Sequence, residues 1–232
     1  SKLEMENVHS IYESIAGHWN HTRGQRKVLW PGTKSFIESL PPGSLVADIG
    51  CGDGKYFGAN PEAMVLGCDR SQRLLDICVD KNQFEVICCD ALKLPYRDNT
   101  FDAVICVAVL HHLSTEVHRI NALKELVRIT RPGGLIEIQV WAYEQEPDSR
   151  RKFDQPDCFV PWHLQRKYAS AQDLAAHGPP NQNGLLRLDR YVHAFREGEL
   201  RGLCARHLGG RARVVQPEGY ARSNWHLRLQ KT

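Results

Sequence analysis

Several familiar signatures are missing from this chain. No apolar run approaches the roughly 18 residues that cross a membrane. No basic, apolar, then small-residue signal stands at the N-terminus, which begins at Ser1. The expected location is cytoplasmic, with no membrane partner. Eight cysteines are present, at 51, 68, 78, 88, 89, 106, 158 and 204, yet none forms a Cys-x-x-Cys pair. Four lie in or beside apolar strand-like runs, so buried reduced thiols are expected, with neither a disulfide scaffold nor a metal site. The chain has no Gly-Lys-Ser/Thr, which argues against a phosphate-cradling loop, and no Gly-x-Gly-x-x-Gly dinucleotide pattern. Internal repeats and low-complexity segments are absent as well.

What is present centres on Leu45-Val-Ala-Asp-Ile-Gly-Cys-Gly-Asp-Gly-Lys55. An apolar run that reads as a buried strand ends in glycines at 50, 52 and 54. Without a Cβ, such glycines let the backbone turn sharply and approach a ligand closely. The next apolar run, Met64 to Cys68, ends in Asp69. An acid at that strand tip suits the two hydroxyls of a ribose. A ribose acceptor without phosphate apparatus points to a nucleoside cofactor, with S-adenosylmethionine the first candidate.

The 232 residues fit one domain, and 42% hydrophobic with 25% charged residues is ordinary for a globular chain. The net charge of +3 hides an asymmetry. Residues 1–147 carry 15 Lys and Arg against 19 Asp and Glu; residues 148–232 carry 15 against 8. A basic C-terminal third on a near-neutral body points to a polyanionic partner.

Apolar positions at Met5, Val8, Tyr12, Ile15 and Trp19 predict an amphipathic helix over 3–19. His21, Arg23, Arg26, Lys27 and Trp30 then read as a basic, aromatic-flanked loop. Thr33 is expected to cap a short helix that Pro41-Pro42-Gly43 closes. Strands are predicted at 45–49, 64–68, 84–88, 101–107 and 134–141. Helices are predicted at 71–80, capped by Ser71, and at 116–130, stopped by Pro132-Gly133-Gly134. This alternation predicts an α/β fold with a doubly wound parallel sheet, whose ligands sit beyond the C-terminal strand ends. The glycine loop, Asp69, Asp90 and His111–His112 all fall there. Residues 142–187 break the rhythm as a long connection with a tip at Gly178-Pro179-Pro180-Asn181. A helix over 197–208 and a hairpin of strands 211–216 and 223–230, turning at Pro217-Glu218-Gly219, finish the chain.

Ala47-Asp-Ile-Gly-Cys-Gly-Asp-Gly54, Gly67-Cys-Asp69, Cys89-Asp90-Ala91, Phe101-Asp102, Leu110-His-His-Leu113 and Arg131-Pro-Gly-Gly134 resemble a class I S-adenosylmethionine-dependent methyltransferase. Val8-His-Ser-Ile-Tyr12, Trp141-Ala-Tyr-Glu-Gln145, Phe159-Val-Pro-Trp162, Tyr191-Val-His193, Arg196-Glu-Gly-Glu-Leu200 and Asn224-Trp225 narrow the likeness. They resemble the eukaryotic family that methylates carboxymethyluridine at the tRNA wobble position, in its fungal catalytic-subunit form. The resemblance implies a Rossmann-like seven-stranded methyltransferase sheet with a C-terminal antiparallel hairpin. It divides the single domain into N-terminal helices and basic loop (1–43), cofactor core (44–141), insertion (142–187) and substrate-side elements (188–232).

With it come the expected sites. Asp48, Gly50, Cys51 and Gly52 face the methionine end of S-adenosylmethionine. Asp69 faces the ribose, Asp90 and Ala91 the adenine, and Val107 the transferring methyl, with Arg70 and Cys89 also in the cofactor-binding set. Arg23, His111, Arg190, His193 and Arg196 are the substrate candidates, and Trp141, Asn224 and Trp225 the base-stacking ones. His112, expected to point away from His111, takes a structural or cofactor-side role. The resemblance also implies two partners: the tRNA anticodon loop, and a small zinc-binding activator protein paired along the Phe84–Cys89 edge strand. The alternative function is methylation of a small quinone or lipid precursor.

Overall fold

The computed structural model describes residues 1–24, 29–82, 85–149 and 151–232. Arg26 and Lys27 of the expected basic loop, and Phe84 of the expected edge strand, lie outside the described residues.

The N-terminal helix comes in pieces: α1 (Lys2–Glu4), a π-turn over Met5–His9, and α2 (Ser10–Thr22). Of the predicted apolar positions Val8 and Ile15 are buried and Tyr12 and Trp19 half-buried, while Met5 is exposed and Ile11 joins the buried face. The buried Glu4 carboxylate accepts from the Ser114 N–H at 2.6 Å, pinning this end beside the His111–His112 turn. Helix α3 (Pro31–Glu38) starts earlier than expected. Trp30 is its N-cap and Pro31 its first residue, a position where proline's missing N–H costs nothing. Thr33, expected as the cap, is instead buried within the helix and donates to Gln139 Oε1 at 3.3 Å.

Strands β1 (Leu45–Ile49), β2 (Met64–Asp69), β3 (Val86–Cys88), β4 (Phe101–Val107) and β5 (Thr130–Trp141) are parallel. They are interleaved with α4 (Gln72–Asn82) and α5 (Glu116–Ile129). The Leu74 N–H donates to Ser71 Oγ, and Thr115 caps α5. The β1–β2 crossover, residues 50–63, is a succession of turns where a helix is usual. β5 starts at Thr130, so Pro132-Gly133 falls inside a strand that bulges against β4.

The long connection is more ordered than its composition predicts. It holds β6 (Asp157–Gln165) and α6 (Ala171–His177) before β7 (Leu185–His193), and β6 and β7 form a separate antiparallel pair. After α7 (Glu199–His207), β8 (Ala212–Ala221) and β9 (Asn224–Lys231) complete the main sheet in the order β3-β2-β1-β4-β5-β9-β8. Pro217-Glu218-Gly219, expected as the hairpin turn, lies inside β8 at a register shift. The chain reverses instead at Arg222 and Ser223, whose φ values are +50° and +60°.

Three apolar layers result. Phe36, Ile37 and Leu40 from α3 pack with Val46, Ala103 and Ile105 on one sheet face. Leu123, Leu126 and Leu203 from α5 and α7 pack with Ala47, Ile49, Val104 and Ile138 on the other. Ile11 and Ile15 from α2 pack with Trp162, Leu164, Leu186 and Leu188 of the β6–β7 pair. That third layer sets β6–β7 against the N-terminal helix, beside the ends of β4 and β5. Among the described residues no helix is long and apolar enough to cross a membrane.

Candidate active site

The strand order reverses between β1 and β4, and the crevice above their C-terminal ends is where this architecture holds ligands. The glycine loop shapes it. Gly50, at φ +80°, packs so tightly on Val109 that a Cβ would come within 2.1 Å of Cγ2. At Gly52, φ +56°, an added Cβ would meet nothing within 4 Å. One glycine is thus required by packing, and the next opens the backbone to a ligand.

The Gly50 and Cys51 N–H groups donate to the Cys68 carbonyl at 2.7 and 2.9 Å, fixing the loop to β2. Asp69 Oδ2 accepts from the Gly52 N–H at 2.9 Å, and Oδ1 from Ser71 at 2.8 Å. Each oxygen keeps a second lone pair for a hydroxyl. The Cys89 N–H donates to the Asp69 carbonyl, and Asp90 Oδ1 accepts from Leu92, which carries the pocket toward Ala91. Val107 closes β4, half-buried. Arg70 is exposed and accepts from Cys88 Sγ through its carbonyl. Asp48 lies beneath the loop with Oδ2 buried and without a hydrogen-bond partner. Burial, reinforced by the Asp69 charge, pushes its pKa up to about 8.

These features fit the amino-acid and ribose ends of S-adenosylmethionine. An orphaned acid waits below a cradle that a Cβ would fill, and a fixed acid stands at the second strand tip. Among the described residues no group of three or more His, Cys, Asp or Glu could hold a metal ion.

A second cluster stands beside this cradle. His111 and His112 occupy a 3₁₀ turn, Leu110–His112, and their rings are 4.4 Å apart. The turn replaces the strand end on which they were expected to point apart. His111 is fully buried and stacks on Trp141 at 4.9 Å. Its Nδ1 accepts from the Trp141 N–H at 3.1 Å, so the neutral ring carries its proton on Nε2, which is buried and unpartnered. Burial, then His112 and nearby arginines, holds its pKa well below the usual value.

His112 faces the β6–β7 layer, away from the glycine loop. Its Nδ1 donates to the Tyr191 carbonyl at 2.9 Å, so Nε2 accepts from Tyr12 Oη at 2.9 Å. Tyr12 Oη in turn accepts from Arg190 Nη1 at 3.3 Å. The Arg190 guanidinium lies 5.2 Å from the Trp162 ring and 5.9 Å from the Trp141 ring. Arg190 is buried, and its Nε has no partner. Arg23 stands 6.0 Å from Trp162, and Arg151 lies 4.0 Å over Trp141. Gly24 joins the two clusters, since a Cβ there would come within 2.0 Å of Asp53 Oδ2 in the glycine loop.

Arg23, His111, Trp141 and Arg190 are therefore brought together; Asn224 stands directly across from Trp141 in the β5–β9 pairing, and the remaining three candidates make other contacts. His193 is buried, with Nδ1 held by Asp157 at 2.9 Å and Nε2 by Glu199 at 2.6 Å. Both ring nitrogens are engaged, which makes it a strut joining β6 to α7. Arg196 is exposed and stacks on Tyr143 at 4.2 Å. Asn224 is buried and ties its amide to the Arg222 carbonyl at 2.6 Å, fixing the β8–β9 turn. Trp225 sits in the core on the α5–α7 face, its Nε1 donating to Glu144 Oε2 at 3.0 Å. Sequence reasoning missed Arg151, Tyr12 and Trp162. Arg151 sits in the unpatterned connection, while Tyr12 and Trp162 entered only as an amphipathic-helix position and as the last residue of a family motif.

Comparison with known proteins agrees with this geometry. Residues 47–138 match the family model "Methyltransferase domain". The chain is 38% identical to tRNA (carboxymethyluridine(34)-5-O)-methyltransferase of Schizosaccharomyces pombe, over 99% of this chain and 98% of that one. It is 40% identical to tRNA (carboxymethyluridine(34)-5-O)-methyltransferase alkbh8 of Xenopus tropicalis, over its whole length but only 42% of the frog protein. It thus spans less than half of the frog relative and nearly all of the yeast one. A Haloferax volcanii methyltransferase, solved in complex with the Trm112 methyltransferase activator, superposes with a TM-score of 0.64 at 13% identity. That likeness covers 97% of each chain and bears on the fold alone. On the full-length match the chain belongs to the tRNA (carboxymethyluridine(34)-5-O)-methyltransferase family of S-adenosylmethionine-dependent methyltransferases.

Proposed function

We propose that this chain methylates the carboxylate of 5-carboxymethyluridine at the tRNA wobble position, giving the methyl ester. One observation carries the reading. Two buried and unpartnered nitrogens, Arg190 Nε and His111 Nε2, belong to a cluster of arginines and indoles beside a nucleoside-shaped cradle. Bound S-adenosylmethionine supplies the electrophilic methyl.

The chain's own work is placement. A carboxylate with a reference pKa of ~4 is already ionised at neutral pH, so no general base is needed. His111 fits that economy: its neutral ring offers one N–H and no free lone pair. Arg190 presents a planar fork matched to a carboxylate, and Tyr12 and Trp162 fix its plane. Holding one oxygen on these donors leaves the other to attack. Orienting a reacting pair in this way accounts for on the order of 7–11 kcal/mol of barrier lowering. The indoles of Trp141 and Trp162 exclude water and offer stacking surface to a splayed base. Several arginines beside one site favour a polyanionic RNA over a neutral quinone precursor.

Two partners go with this reading. The tRNA anticodon loop presents the uridine. A small zinc-binding activator adds a strand to the β3 edge, where Ile87 is 42% exposed and Cys88 is exposed. The Haloferax protein of the same fold was solved with a methyltransferase activator. We place the chain in the cytoplasm, where its eight unpaired thiols would stay reduced.

Arg190→Met tests the reading. Turnover of carboxymethyluridine tRNA by the activator-bound enzyme is expected to fall at least a hundredfold, with affinity for S-adenosylhomocysteine unchanged. Full turnover by the variant would refute it.

A further inference from the structure

The cluster beside the cradle holds more positive charge than one carboxylate needs. Arg190 is buried at its floor. Arg151 lies nearer the surface, half-buried, 4.0 Å over the Trp141 ring that Arg190 approaches at 5.9 Å. Arg23 faces the Trp162 ring, as Arg190 does. Burial, together with the charges of Arg23 and Arg190, lowers the Arg151 pKa, so these cations repel one another where they stand. A single carboxylate held by Arg190 leaves the Arg151 charge unanswered, since among the described residues Arg151 makes no ion pair. A second anion, further out and fixed to the first, would balance it.

We propose that Arg151 binds the phosphodiester adjacent to the target nucleotide, so that the site selects a nucleotide within a chain over the free nucleoside. This rests on the carboxylate reading of the same site. A phosphodiester is ionised at every working pH and offers two oxygens to the guanidinium fork. The depth order matches a nucleotide entering base first: the carboxylate reaches buried Arg190, the base reaches Trp141, and the backbone stays level with Arg151. A base stacking on Trp141 displaces the Arg151 head group from the ring, and its flexible stem lets it follow the phosphate outward.

The test uses the activator-bound enzyme and an anticodon stem-loop RNA carrying carboxymethyluridine. The linkages on either side of that nucleotide are replaced, one at a time, by uncharged methylphosphonate. Wild type is expected to lose about tenfold to a hundredfold in kcat/KM at one linkage, the usual effect of a charged hydrogen bond. Arg151→Met should show a similar loss on the native RNA and no further loss at that linkage. Its affinity for S-adenosylhomocysteine should match wild type, and Arg151→Lys should recover part of the discrimination. Full methylphosphonate sensitivity in Arg151→Met, or none in wild type at either linkage, overturns the inference while native RNA is still methylated. No methylation of native RNA by wild type overturns the carboxylate reading, and this inference with it.

Discussion

Asp48 should make cofactor binding depend on pH in a way that asparagine removes. Its Oδ2 is buried without a partner, and burial with the nearby Asp69 charge pushes its pKa up to about 8. At pH 6 roughly one carboxyl in a hundred is then ionised, and at pH 8 about half. Only the ionised form pairs with the ammonium at the amino-acid end of S-adenosylhomocysteine. Affinity should therefore rise about fiftyfold from pH 6 to pH 8 and level off above, with close to one proton released per binding event at pH 6–7. Isothermal titration calorimetry in buffers of different ionisation enthalpy measures both. Asp48→Asn should bind more weakly, with a flat profile and no proton release from this group. In the free protein the sign runs the other way. A raised acid pKa favours the fold fully in acid, and that contribution is lost as pH rises through about 8. Free Asp48→Asn should therefore gain Tm relative to wild type at pH 8.5 compared with pH 5. A wild-type affinity that does not change between pH 6 and 8 refutes the reasoning.

Gly50→Ala drives a Cβ to within 2.1 Å of Val109 and should unfold the loop, seen as a large fall in Tm. Gly52→Ala meets nothing within 4 Å, so it should cost about 1–2 kcal/mol of backbone strain while abolishing S-adenosylhomocysteine binding by calorimetry. Tyr12→Phe removes the hydroxyl between Arg190 and His112; a buried group left unpaired costs about 1–3 kcal/mol. The expected readout is a rise in KM for tRNA with cofactor affinity unchanged. Ile87→Lys puts a charge on the open β3 edge and should abolish co-purification with the activator, while the chain alone keeps its circular dichroism spectrum.

The cofactor half of the site was legible because its residues sit where apolar runs meet glycines. Strand, turn and acid are consecutive from Leu45 to Gly54 and again from Met64 to Asp69, so local pattern alone places them. The substrate half is assembled from distant segments. Arg190 on β7 meets Tyr12 on α2 and Trp141 on β5, contacts that no local periodicity encodes. β6 escaped notice because Pro161 and polar residues blur its alternation. The β8–β9 turn was misplaced because Arg222 and Ser223 adopt the positive φ expected of glycine, while Gly219 lies flat against His226. The only sequence mark of Arg151 was charge in an irregular stretch, ten residues past Trp141.

Nucleoside mass spectrometry bears most directly on the central claim that this site esterifies a carboxylate on RNA. The chain, the proposed activator and S-adenosylmethionine are incubated with tRNA bearing carboxymethyluridine, and the digested nucleosides are weighed. The expected product is carboxymethyluridine heavier by one methylene and returned to its starting mass by mild alkali, as an ester is. A methyl that survives alkali, or carboxymethyluridine left unaltered, would contradict the account.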